Sequence, residues 1–302
     1  MMKPALFFLL ALGVSSLSAR EYRDLTNLDG VTIKAELLDL TDDGMLKVNV
    51  NLKPFQIPLA SLSQADQDWL RLWDLERKQG KEAAYYSRVI FEDDFSGGAF
   101  KEGWGHYKSG SVIQDGVLVG ITPEGSDHSA VDNIKFPGEQ DLQVEVKFRF
   151  VSEAAKSFNV WFDDKDYKGA HAGHICQVTV SPAQVQMSDA KTGGFTLENG
   201  LYDRKKANQL TDEEKKMLES KTKRVPVKLE LQKWHTLTAR TKGDTIFVLI
   251  DGKEAGEFSS EGVAHATKSL VSLTTNAVDV HYDDFSVKAA AKPLSAARPA
   301  AR

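Results

Sequence analysis

Hydrophobic and polar residues alternate at every second position over most of the chain beyond residue 88, which is the side-chain period of a β-strand. In DLQVEVKFRF, Leu142, Val144, Val146, Phe148 and Phe150 fall on one face, and Asp141, Gln143, Glu145, Lys147 and Arg149 on the other. SFNVWF groups Phe158, Val160 and Phe162 and turns Trp161 away from them. Residues 233–258 read as a three-strand meander with turns at Lys242-Gly243-Asp244 and Asp251-Gly252. Asp-Gly between β-prone runs marks a hairpin, because a primed turn needs positive φ and glycine adopts it without steric cost. A second such turn stands at Asp115-Gly116, and HICQVTV turns at Ser181-Pro182 into QVQM before SLVSLTT and VHYDDFSV close the series. Short strands at regular spacing predict a two-sheet antiparallel sandwich over residues 89–288. One insertion, at about 200–224, breaks the pattern: Thr211 and Glu214 frame a capping box, a helix runs to about Lys221, and PVKLEL returns to sheet.

Residues 20–70 form a smaller unit. Val31, Ile33 and Ala35 alternate after a turn at Asp29-Gly30, and MLKVNVNL alternates after a turn at Asp42-Asp43-Gly44. Ser63 can cap a short helix, with Asp66 as its capping-box partner where Glu or Gln is usual. Residues 71–88 are charged and helix-permissive, interrupted by Gly80, and read as a linker helix. At the start, Lys3, an apolar run from Ala5 to Val14 and the small residues Ser15, Ser16, Ser18 and Ala19 look like a signal peptide over 1–19, too short to span a bilayer. The expectation is a periplasmic or secreted protein with no membrane span after signal removal. Residues 289–302 hold too few large apolar side chains to order themselves, so the tail is expected to be disordered.

Composition changes little in this picture. Of 302 residues, 41% are hydrophobic and 27% charged, enough for a packed core, and a net charge of −5 argues against a nucleic-acid partner. Cys176 is the only cysteine, so no internal disulfide forms. Its alternation with Val178 and Val180 predicts a buried, inert thiol.

Two resemblances add to these readings. Arg23, Gly30, Ala35, Pro58-Leu59, Leu62-Ser63, Asp66 and Leu70 resemble the Sla-homology domain, although Leu25 stands where that family has an aromatic residue. The likeness implies a small SH3-like barrel and, in the endocytic adaptors of that family, protein–protein binding; the module also occurs in exported planctomycete and verrucomicrobial proteins. The WHTLTAR run with its GD and IDG turns, followed by YDDFSV, resembles the concanavalin A-like or laminin-G-like jelly-roll sandwich. More narrowly, residues 89–288 are similar to domains related to the 3-keto-disaccharide hydrolase family. The matching positions are His128, Gly173, His174, Val178, Pro182 and the run Gly262, Ala264, His265, Thr267, Lys268 and Ser269, with Gln177 in place of an arginine. The fold class expected is therefore mainly β: a small SH3-like barrel, then a concanavalin A-like sandwich with a short helical insertion.

Several groups could carry chemistry. A laminarinase-type glycosidase needs a carboxylate pair, and Glu139, Asp141 and Glu145 are the candidates. The outer two lie six strand positions apart, roughly 20 Å, where retaining chemistry needs about 5 Å. Asp141 and Glu145 have the shorter spacing but flank Gln143 rather than an aspartate, so a solvated strand face accounts for the set better. His174 keeps phase with Cys176, which predicts a hydrogen-bonded rim histidine; His171 precedes it in a Gly-containing turn. His128, His174, His265, Lys268 and Asp189 could converge to bind sugar hydroxyls or an anion, or could remain separate loop residues. Trp161 could stack on a sugar or lie under the helical insertion. No cofactor is expected beyond a possible structural Ca²⁺ at Asp94 and Asp284, on first and last strands expected to be neighbours. With no competent carboxylate pair, the sequence favours an exported, non-catalytic binding protein whose partner is a glycan or an envelope protein. The alternatives are a carbohydrate-active hydrolase with a histidine-containing site and an adaptor acting through the Sla-homology domain.

Overall fold

The structure, a computed structural model, describes residues 20–41 and 43–291. The leader read at 1–19 lies outside them, as does the tail beyond residue 291. The chain divides into two compact units, residues 1–82 and 83–302. No helix among the described residues is long and apolar enough to cross a membrane.

In the first unit β1 (Tyr22–Thr26), β2 (Thr32–Leu40), β3 (Met45–Val50) and β4 (Lys53–Pro58) form one antiparallel sheet in the order β1-β2-β3-β4. Leu25, Ala35, Leu46, Val48, Leu70 and Trp73 make its core. The helix expected at Ser63 and the linker helix expected at 71–88 are one element, α1 (Gln64–Tyr85), which runs through Gly80. The last residues of the expected linker belong with the second unit: the Tyr85 hydroxyl donates to Asp141 Oδ2 (2.6 Å) and the Tyr86 hydroxyl to the Thr241 carbonyl (3.0 Å).

Ser63 caps α1 by accepting the Asp66 N–H at 3.3 Å. The box does not close as expected, because the Ser63 N–H bonds the Thr26 carbonyl (2.7 Å). Asp66 instead reaches into the sheet, accepting the Thr26 N–H at 2.9 Å and Arg23 Nε and Nη2 at 3.2 and 3.1 Å. Burial pushes the Asp66 carboxyl upward in pKa, but the Thr26 N–H, Ser63 and Arg23 outweigh it and hold the group below its ordinary 3.8. A depressed carboxylate stabilises the fold above its unfolded pKa, and that stabilisation is lost as pH falls through the folded value. Protection of the Thr26 amide from hydrogen exchange should therefore drop as the pH falls below 3.8, and Asp66→Asn should flatten that dependence. An Asn variant with the wild-type pH profile would remove Asp66 from the acid response.

The second unit contains β5 (Arg88–Asp93), β6 (Trp104–Tyr107), β7 (Val112–Gln114), β8 (Val117–Gly120), β9 (Ala130–Glu139), β10 (Leu142–Phe150), β11 (Ala155–Asp163), β12 (His174–Ser181) and β13 (Gln184–Asp189). There follow α2 (Leu201–Lys206), α3 (Asp212–Ser220), β14 (Thr222–Pro226), β15 (His235–Lys242), β16 (Thr245–Ile250), β17 (Lys253–Ser259), β18 (Lys268–Ala277) and β19 (Val280–Ala289). One antiparallel sheet has the order β17-β16-β15-β10-β19-β8-β7 with β5 also paired to β19, and the other the order β14-β13-β12-β11-β18-β9-β6. The alternating faces read from β10 and β11 line the interior: Phe148, Phe158 and Tyr282 are fully buried, with ring centroids 4.9 Å apart for Phe148–Phe158 and 5.4 Å for Phe158–Tyr282.

Turn chemistry follows the same logic. Both residues of Asp115-Gly116 and of Asp251-Gly252 have positive φ, as a primed hairpin turn requires. The capping box at Thr211 and Glu214 is present in both directions. Burial pushes the Cys176 thiol up to about 12, consistent with an inert side chain. One strand is displaced from its expected position: the return to sheet is Thr222–Pro226, not PVKLEL. Pro226 ends the pairing with β13 on this edge strand, and Val227 and Leu229 give their N–H groups to Ala183 and Pro182 instead.

Candidate functional site

The site lies on the face of the second sheet that points away from the core. On β11 the fully buried Phe158, Val160 and Phe162 face inward, so Asn159, Trp161 and Asp163 face outward. Register sets Asn159 beside Thr274 and Trp161 beside Ser272 of β18, with Gln177 of β12 on the other side of Trp161.

His174 joins this face through a register shift. Phe162 pairs with Cys176 but Asp163 pairs with His174, so Ile175 is surplus. Ile175 and Cys176 are both fully buried, and the phase expected between His174 and Cys176 is broken between them. The imidazole stacks on Trp161 with centroids 4.1 Å apart and planes 29° apart. Its Nδ1 lies 2.8 Å from Asp163 Oδ1. Asp163 is 2% exposed, and burial raises its pKa against the opposing pull of His174 and the Ile175 N–H. A carboxylate at Nδ1 holds the proton there, which leaves Nε2 as the open lone pair of the neutral ring. Just before it, Gly173 has φ 75°, and a Cβ there would sit 2.1 Å from the Asp164 carbonyl oxygen, so only glycine fits the turn that delivers His174.

Two further histidines border the same cavity, of about 270 Å³. His171 stacks on Tyr202 of α2 at 4.3 Å and 13°, with its ring centroid 6.1 Å from that of His174. Burial first, then the charges of His174, Lys206 and His128, lower its pKa. His128 places Nδ1 2.7 Å from the Ser129 carbonyl, edge-on to Tyr107. Asn159, Ser272 and Thr274 line the floor, and Phe195 closes one side, 5.1 Å from Trp161 and 4.9 Å from His174. Trp161 is itself 8% exposed, so its ring is a covered floor rather than an open platform. Phe195 and Tyr202 escaped the sequence reading. Their signal was two aromatic and two leucine residues in the short stretch GGFTLENGLYD, which has no strand period.

The structure thus brings His128, His174 and Trp161 together and leaves the other candidates elsewhere. Asp189 is 2% exposed and ties loops, accepting from Thr192 N–H (2.9 Å) and Oγ1 (2.6 Å), Ser260 Oγ (2.6 Å) and Gly262 N–H (2.9 Å). His265 Nε2 lies 3.0 Å from Asp164 Oδ2, so successive aspartates each hold a different histidine. Lys268 is wholly buried and donates to the carbonyls of Gln140 (2.7 Å) and His265 (3.2 Å). Neither residue lines the cavity.

The remaining carboxylates are engaged with protein groups. Asp141 accepts from Tyr85 and the Gly243 N–H, Glu145 from Thr238, and Glu139 pairs with Arg88. β5 and β19 are neighbours as expected, and Asp94 and Asp284 border one cavity; Asp94 accepts from Ser96 N–H (3.1 Å) and Oγ (2.7 Å), and Asp284 pairs with Lys147. Among the described residues no group of three or more His, Cys, Asp or Glu is arranged to hold a metal ion.

Fold and site together define a mainly β, two-sheet antiparallel sandwich with an aromatic-floored polar cavity on one outer sheet face. Residues 89–288 match the 3-keto-alpha-glucoside-1,2-lyase-like domain, and the chain belongs to that family. No curated protein matches the sequence. Among solved structures, a sialidase is 14% identical with a TM-score of 0.47, the match covering 82% of this chain and 21% of the sialidase; the chain thus spans about a fifth of that protein. A carbohydrate-binding module, CBM66 from Bacillus subtilis, is 13% identical with a TM-score of 0.40, over 62% of this chain and 96% of the module. The laminarinase from Rhodothermus marinus is 10% identical with a TM-score of 0.47, over 68% and 98%.

Proposed function

We propose that this chain is an exported carbohydrate-binding protein that seats a glucoside-like ring in the cavity of Trp161, His174 and His128. The observation that supports this most is the stacked Trp161–His174 floor surrounded by Asn159, Ser272 and Thr274. A sugar offers apolar C–H faces and a rim of hydroxyls, and an aromatic floor with a few convergent polar groups complements both. Calorimetric titration with methyl α-glucoside and its 3-keto derivative tests it. Binding of at least one is expected, weakened about tenfold in His174→Ala by loss of stacking and one hydrogen bond. Absence of heat with both sugars would sink the reading.

A second reading is favoured by the Asp163–His174 pair, whose buried carboxylate orients an imidazole with an open Nε2. The family's lyase description names an elimination. A ketone at C3 acidifies the C2 hydrogen, and Nε2 takes that proton. The electron pair forms the C1–C2 double bond, the C1–O bond breaks, and the departing alkoxide takes a proton. Release of p-nitrophenol from p-nitrophenyl 3-keto-α-glucoside, lost in His174→Ala, would establish it; no release above buffer leaves binding alone. For the first unit we keep the SH3-like Sla-homology reading and a role in protein–protein binding. Support comes from Arg23 and Asp66, two residues of that resemblance, which meet at 3.1 Å.

A further inference from the structure

Phe195 borders a second cavity as well, of about 350 Å³, between the outer sheet face and α3. Its floor continues the row that holds Trp161 through Gln177, Ser188 and Thr222, with Gln186 of β13 and Arg224 of β14 paired in the next row. A chain of side-chain bonds orders this floor. Arg224 Nε donates to Gln186 Oε1 (3.0 Å), Gln186 Nε2 to Ser188 Oγ (3.1 Å), and Ser188 Oγ meets Thr222 Oγ1 (3.2 Å).

Arg224 is therefore fixed through Nε, with both Nη groups unbonded among the described residues. Lys205 rests its ammonium over the Phe195 ring at 4.6 Å and donates only to the Gly194 carbonyl, at 3.2 Å. Neither cation has a carboxylate within 4.0 Å among the described residues. Lys215, on the same wall, is paired with Asp212, and the Asp189 carboxylate is occupied by Thr192, Ser260 and Gly262. Glu219 contributes one opposing charge against these two cations.

We propose that this second cavity binds an anionic group, a carboxylate or a sulfate ester, on the unit joined to the sugar ring seated beside His174. The ligand is then an acidic glycoside of at least two units, and this rests on the reading of the first cavity as a sugar site. A guanidinium held at Nε presents its two Nη groups as a bidentate partner for a planar or tetrahedral oxyanion, and the ammonium supplies a second contact.

The test titrates maltose, maltobionate and a maltose sulfate ester, each with and without a ketone at C3 of the non-reducing ring, into the full chain at low salt. One of the acidic sugars is expected to bind about tenfold tighter than its neutral counterpart, with the gap narrowing as salt rises. Whichever acid gains identifies carboxylate or sulfate as the group recognised. Lys205→Met with Arg224→Gln should erase the gap while leaving maltose within about twofold, since both side chains are exposed and neither touches the first cavity. Equal binding of neutral and acidic sugars, or a double variant that weakens both alike, overturns the second cavity and leaves the sugar site standing. A panel in which no sugar binds overturns the sugar site and the bridging ligand with it.

Discussion

Asp189→Ala is expected to destabilise the sandwich by about 4 kcal/mol, because a buried carboxylate accepting several hydrogen bonds leaves its donors unsatisfied when removed. The donors are the Thr192 N–H and hydroxyl, the Ser260 hydroxyl and the Gly262 N–H, all at 2.6–2.9 Å. A loss of that size corresponds to roughly 10 °C in melting temperature for a unit of this length. Below the new melting temperature, sugar affinity should stay within about twofold of wild type, because the carboxylate is turned away from the His174 cavity. Thermal denaturation and calorimetry of the same sample separate the two effects. A stable variant that has lost sugar binding would restore Asp189 to the site.

Trp161→Ala should have the largest effect on binding, a loss of at least about tenfold in sugar affinity. The ring lies between His174, at 4.1 Å and 29°, and Phe195, at 5.1 Å and 85°. Removing it takes away the floor and the surface that holds the imidazole flat. Stability should fall by roughly 2 kcal/mol, less than for a tryptophan in the interior, because the cavity left behind is on the outer face and can fill with water. Trp161→Phe keeps an aromatic surface and should lose only about threefold. A Trp161→Ala protein that binds sugar as wild type does would reduce the ring to a packing element.

Much of the sandwich was legible because its core strands follow a two-residue period and its hairpins use Asp-Gly. β9 was missed for a chemical reason. Its inward positions are Ala130, Asp132, Ile134 and Phe136, and the carboxylate in that series breaks the apolar pattern. Asp132 is nevertheless 1% exposed, bonded to His106 Nδ1 and Ser111 Oγ, each at 2.7 Å. The same limitation affected the site. The sequence pattern showed that His265, Lys268 and Asp189 were polar residues near strand ends, but not that buried carbonyls, hydroxyls and Asp164 already satisfied them. The cavity depends on contacts across the insertion, from Phe195 and Tyr202, which no local period encodes.

Ile175 gives β12 one residue more than its partner strand. That surplus residue is what lets His174 and Cys176, two positions apart, face opposite sides of the sheet, the thiol in the hydrophobic layer and the imidazole beside Asp163. An unbroken ladder through the same residues would have turned the imidazole into the hydrophobic layer, so the bulge is what gives this surface its chemistry.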